Sequence, residues 1–95
     1  MRAYEAMFVL HPNLDEQATL ATIEKFTGLI QAEGGEMESV EKWGKRRLAY
    51  EVKDLREGYY VLVTFKGEAK TAQELERVFK ITDEVLLHLV IRREK

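Results

Sequence analysis

A chain of 95 residues has room for one domain and one core, in which folding hides roughly 60 to 68% of the surface that the unfolded chain exposes. Hydrophobic residues at 45% and charged residues at 34% exclude a disordered chain, and the absence of cysteine excludes disulfides, a thiolate nucleophile and a cysteine metal site. A formal net charge of −2 excludes a protein that holds a nucleic-acid backbone by a general positive excess. The apolar runs are too short to span a bilayer and the N-terminus lacks a signal-peptide pattern, so the expected setting is the reducing cytoplasm.

Residues Arg2 to Leu10 alternate, with Tyr4, Ala6, Phe8 and Leu10 on one side and Ala3, Glu5, Met7 and Val9 on the other, which predicts a central strand. The stretch from His11 to Asp15 breaks it, because Pro12 has no N–H for a ladder and Asn13 or Asp15 can cap a helix. Leu20, Ile23, Phe26, Thr27 and Ile30 recur at helical spacing, and Gly34-Gly35 supplies a left-handed stop, so a helix is expected at about 15–33.

A long second strand follows from Glu36 to Lys53, with Val40, Leu48, Tyr50 and Val52 as expected core contacts and an irregularity at Gly44. Asp54 to Gly58 reads as a turn, and Tyr59 to Lys66 as the third strand, with Tyr59, Val61, Val63 and Phe65 on one face. Thr71-Ala72-Gln73-Glu74 has the form of a capping box, so a second helix should begin there, bury Leu75, Val78 and Phe79, and end at Thr82-Asp83-Glu84. Val85 to Arg93 is apolar enough for a fourth strand.

Strand, helix, strand, strand, helix, strand is the α+β, ferredoxin-like split βαβ arrangement, a single domain over 1–95. Right-handed crossovers put both helices on one face of a four-stranded antiparallel sheet, in spatial order fourth, first, third, second. The other face is left open, and Met7, Val9, Tyr60 and Leu62 should lie on it with residues of the fourth strand, an apolar patch of the kind that meets a partner.

Catalytic patterns are missing: there is no dinucleotide or P-loop glycine motif, no nucleophile elbow and no paired-histidine spacing. His11 and His88, the only histidines, make a poor zinc site, so neither metal nor cofactor is expected. The cations are unevenly placed, with Lys42, Lys45, Arg46 and Arg47 in the middle and Arg92, Arg93 and Lys95 near the end. Two readings of Lys45, Arg46 and Arg47 stay open: phosphate contact, or charges that keep an edge strand from aggregating. The third strand partly matches the RNA recognition motif, but Tyr59 and Phe65 have the parity of core residues, leaving only Tyr60 for base stacking.

Trp43-Gly44-Lys45-Arg46-Arg47-Leu48-Ala49-Tyr50, with Met1-Arg2-x-Tyr4-Glu5, Pro12-Asn13, Glu33-Gly34, Gly58-Tyr59-Tyr60-Val61, Leu75-Glu76 and Asp83-x-Val85, resembles bacterial small-subunit ribosomal protein six over nearly the whole chain. The resemblance implies a structural protein of the cytoplasmic ribosome without catalytic activity, membrane contact or small-molecule substrate. It also implies binding to the central domain of small-subunit ribosomal RNA together with the small basic ribosomal protein eighteen. On that reading Arg2, Lys45, Arg46 and Arg47, with Arg92 and Arg93, hold phosphates, while Met7, Val9, Tyr60, Leu62 and Leu87 meet the protein partner. Glu51, Lys80 and Leu87 depart from the family pattern, which often has proline at the first and arginine at the other two. A general protein-interaction module without nucleic acid is the alternative.

Overall fold

The alternation that predicts the strands is realised in the computed structural model, which describes residues 1–93. Its elements are β1 (Arg2–Leu10), α1 (Glu16–Ala32), β2 (Glu36–Val52), β3 (Leu55–Gly67), α2 (Ala69–Ile81) and β4 (Val85–Arg93). All pairings are antiparallel and the sheet order is β2-β3-β1-β4, as the crossover rule requires. Lys95, counted above among the terminal cations, lies outside the described residues.

Both helices pack on the side that carries the phenylalanine rings, all of them buried. Phe8 of β1, Phe26 of α1 and Phe79 of α2 meet with centroids 4.6 to 5.1 Å apart, over a floor of Val61, Val63 and Phe65, all fully buried. Aromatic contacts of this kind add to the area they bury. The Asp15 carboxylate accepts from the Ala18 amide at 2.7 Å and starts α1. The stripe of α1 buries Thr19 beside Ile23, Phe26 and Ile30, while Leu20 stays half-buried.

Four sequence expectations are corrected. The β2–β3 turn is shorter than Asp54–Gly58: Lys53 and Asp54 both have positive φ, 52° and 64°, the two-residue geometry that suits strand twist, so pairing resumes at Leu55. The Thr71–Glu74 capping box does not form, because α2 starts at Ala69 with Glu68 at the cap position. The Thr71 hydroxyl is buried and donates to the Glu33 carbonyl at 3.1 Å, closing the end of α1, and Glu74 accepts from Arg77 instead. A tertiary acceptor has displaced the local one.

Val40 and Tyr50 are exposed rather than core residues, Tyr50 at 67%. Beyond Arg47 the ladder with β3 shifts and resumes only at Val52, so the stretch holding Tyr50 extends past the helix-covered area. Val9, expected on the open face, is 2% exposed. It forms a second small core with Leu48 and Leu86, edged by Val52, Leu55, Tyr60 and Leu87. A register shift between β1 and β4 beside Val9 makes room for the extra residue Leu86, and Gly58 allows the close approach, since a Cβ there would run into Val9 Cγ1.

Candidate nucleic-acid interface

In a regular strand, residues three apart point to opposite faces. In β2 the register slips between Lys42 and Gly44, where Gly44 takes φ +81°, so Trp43 is the extra residue of a bulge. Lys42 is therefore opposite Val61 and Lys45 opposite Tyr59, both on the helix side. By the same slip Trp43 and Arg46 share the open side. The Arg46 guanidinium lies over the Trp43 ring, 5.1 Å from its centroid, and the Trp43 indole N–H donates to Glu41 Oε1 at 3.3 Å. Cation–π contact and hydrogen bond together hold the ring.

The three adjacent cations therefore do not form one patch. Lys45 and Arg47 lie to one side of the edge strand and Arg46 to the other, although all three are exposed. Lys42 and Lys45 border a hollow of about 330 Å³ between β2 and the start of α1, with Leu14, Leu20 and Tyr59 among its walls and Glu16 at its edge. Arg47 lines a shallower depression near the hairpin end with Arg56 and Glu51, whose side chains pair at 3.1 Å.

Arg2, Arg92 and Arg93 stand at the other end of the sheet. Lys45 is level with Tyr59 and Leu10, whereas Arg2 is opposite Gly67, eight residues back along β1 and so roughly 26 Å away at ~3.3 Å per residue. Arg2 and Arg92 have the parity of the helix side, and Arg93 that of the open side, where it pairs with Glu5 at 3.7 Å. The six sequence-chosen cations thus make two separate groups.

On the open face, Met7 and Leu62 floor a hollow walled by Trp43 on one flank and Leu89 and Ile91 on the other. It is continued by a second hollow among Met7, Tyr60, Leu87, Leu89 and Tyr50. Met7, Tyr60, Leu62 and Leu87 are half-buried, while Leu89 is 60% and Ile91 45% exposed. Sequence reasoning missed Trp43 and Tyr50 as parts of this trough, and of the fourth-strand residues expected there it named Leu87 but not Leu89 or Ile91. The signal for Trp43 is the glycine after it, which marks a bulge and so shifts the parity of the residues on either side.

Lys80 is exposed in the last turn of α2, where a cation suits the helix dipole. Among the described residues no three His, Asp or Glu side chains converge as metal ligands, and no helix is long and apolar enough to cross a membrane. On the surface of α2 the Arg77 hydrogen bond holds the Glu74 carboxyl below its ordinary value and Glu74 raises Arg77 in return.

The family described as ribosomal protein S6 matches residues 3–92. The small ribosomal subunit protein bS6 of Carboxydothermus hydrogenoformans is 55% identical over 95 residues, covering 100% of this chain and 99% of the relative. That of Moorella thermoacetica is 56% identical, covering 100% and 97%. The crystal structure of 30S ribosomal protein S6 from Thermotoga maritima superposes with a TM-score of 0.92 at 33% identity, covering 97% of this chain and 87% of that one.

Proposed function

This chain belongs to the ribosomal protein S6 family, and from that premise we propose that it binds the central domain of small-subunit ribosomal RNA in company with ribosomal protein eighteen. Membership makes it a structural component of the small subunit on the cytoplasmic ribosome, and not an enzyme. The observation that carries the finer reading is the bulge at Gly44, which sorts the edge of the sheet into a cationic side and an apolar side.

A chain of net charge −2 needs local cations or a basic companion to approach RNA. Lys45 and Arg47, joined by Lys42, supply the local cations, and Arg2 and Arg92 supply a second phosphate contact on the same side about 26 Å along the sheet, with Arg93 reaching it from the open side only by leaving Glu5. The trough of Met7, Tyr60, Leu62 and Leu87 on the opposite face takes the protein companion, with Leu89, Ile91 and Trp43 as its walls. Arg46 sits with Trp43 on that side and serves the protein contact first.

The test is the salt dependence of binding to a central-domain RNA fragment with protein eighteen present. Losing Lys42 and Lys45 should flatten the slope of log affinity against log salt by about 1.4 to 1.8, at roughly 0.7 to 0.9 per phosphate contact. An unchanged slope, with the variant folded, would remove these residues from the RNA contact.

A further inference from the structure

The hollow beside α1 has chemistry that phosphate contact alone does not use. We propose that it receives one unpaired nucleotide of the bound RNA, with the phosphate against Lys42 and Lys45 and the base between Tyr59 and the wall made by Leu14 and Leu20. This rests on the RNA reading given above and deepens it.

Three observations select that occupant. The volume of about 330 Å³ lies at the small end of ligand sites, enough for a single base and its sugar edge. The two ammonium groups project from β2 on the side that also carries the Tyr59 ring, so cations and an aromatic surface meet in one place. Bases drawn out of a single strand are recognised by that combination, stacking on a ring while the backbone is held electrostatically. Glu16, in the first turn of α1, adds an acceptor at the rim. A carboxylate there accepts from the exocyclic amino group of adenine, cytosine or guanine, whereas uracil offers only a ring N3–H flanked by two repelling carbonyls.

The hollow lies where the start of α1 faces Tyr59 of β3 and the edge strand β2. Lys42 and Lys45 reach it together only through the Gly44 bulge; without the extra residue one of them would point to the other face.

The experiment uses a short single-stranded RNA in which one base is 2-aminopurine, whose fluorescence is quenched by stacking, alongside the same RNA with that base removed. Wild-type chain should quench the probe and bind the intact RNA about tenfold or more tightly than the abasic one, a difference of ~1.4 kcal/mol. Tyr59→Leu should abolish the quenching. Glu16→Gln, a change on an exposed helix surface, should leave binding of uracil-bearing RNA as strong as that of adenine-bearing RNA. Equal affinity for intact and abasic RNA, or an unquenched probe, overturns the nucleotide site. If a central-domain fragment still loses affinity on removing Lys42 and Lys45, the RNA reading survives that failure; if it does not, both fall.

Discussion

Replacing Gly44 with alanine isolates the backbone conformation on which the division of the β2 edge depends. A Cβ built on Gly44 has nothing within 4 Å, and the same is true of Gly28 inside α1, so neither substitution creates a clash. Only the dihedral differs: Gly44 has φ +81°, while Gly28 lies within a regular helix. For an L-residue the left-handed conformation costs about 1–2 kcal/mol. Part of that is offset because alanine loses less freedom on folding than glycine does, leaving a net loss of about 1 kcal/mol. With an unfolding entropy of roughly 0.2 kcal/mol/K for a domain of this size, Gly44→Ala should lower Tm by about 5 °C. Gly28→Ala should raise it by a few degrees, since alanine is favoured over glycine in a helix by about 0.5–1 kcal/mol. Thermal unfolding followed by circular dichroism compares the two. A Gly44→Ala protein that melts at or above the wild type would refute the strained-bulge account. If the strain is relieved by losing the bulge, the salt slope for RNA should flatten as well, because Lys42 and Lys45 then point apart.

Leu48→Ala should cost about 2–3 kcal/mol, seen as a lower urea midpoint at unchanged m, because Leu48 closes the small core over Val9 and Leu86; a loss under ~0.5 kcal/mol would mean that this cluster is not packed. Trp43→Ala should weaken the complex with protein eighteen at least fivefold by titration calorimetry while hardly changing the affinity of the isolated chain for RNA; the reverse pattern would exchange the two faces. The Glu74 carboxyl should titrate by NMR below the ordinary glutamate value, and Arg77→Ala should raise it. A carboxyl held low in the folded state stabilises above its unfolded pKa and loses that contribution as the pH falls through the folded value, so this pair gives no pH dependence near neutrality.

Much of the architecture was legible because one residue type sat on each face. Tyr4, Ala6, Phe8 and Leu10 alternate without interruption, and Val61, Val63 and Phe65 repeat the pattern, so strand order and helix side followed from period and crossover hand. Parity was lost wherever the ladder slips. Val9 looks like an outward residue in a regular strand, yet the shift that admits Leu86 covers it. Lys45, Arg46 and Arg47 look like one patch in the sequence, but a strand divides neighbours between faces, and the bulge joins Lys45 to Lys42. Thr71 shows the other limit: its hydroxyl could have capped α2, and the Glu33 carbonyl, 38 positions away in sequence, takes it instead. A local motif cannot register such a distant acceptor.

Hydrogen exchange measured on the chain alone, with protein eighteen, and then with both protein eighteen and a central-domain RNA fragment most directly tests the assignment of opposite faces to different partners. New protection is expected in β4 from Leu87 to Ile91 on adding the protein, followed by protection around Lys42–Lys45 and the start of α1 only when RNA is added. Protection of the Lys42–Lys45 segment by the protein alone, with β4 responding only to RNA, would contradict it.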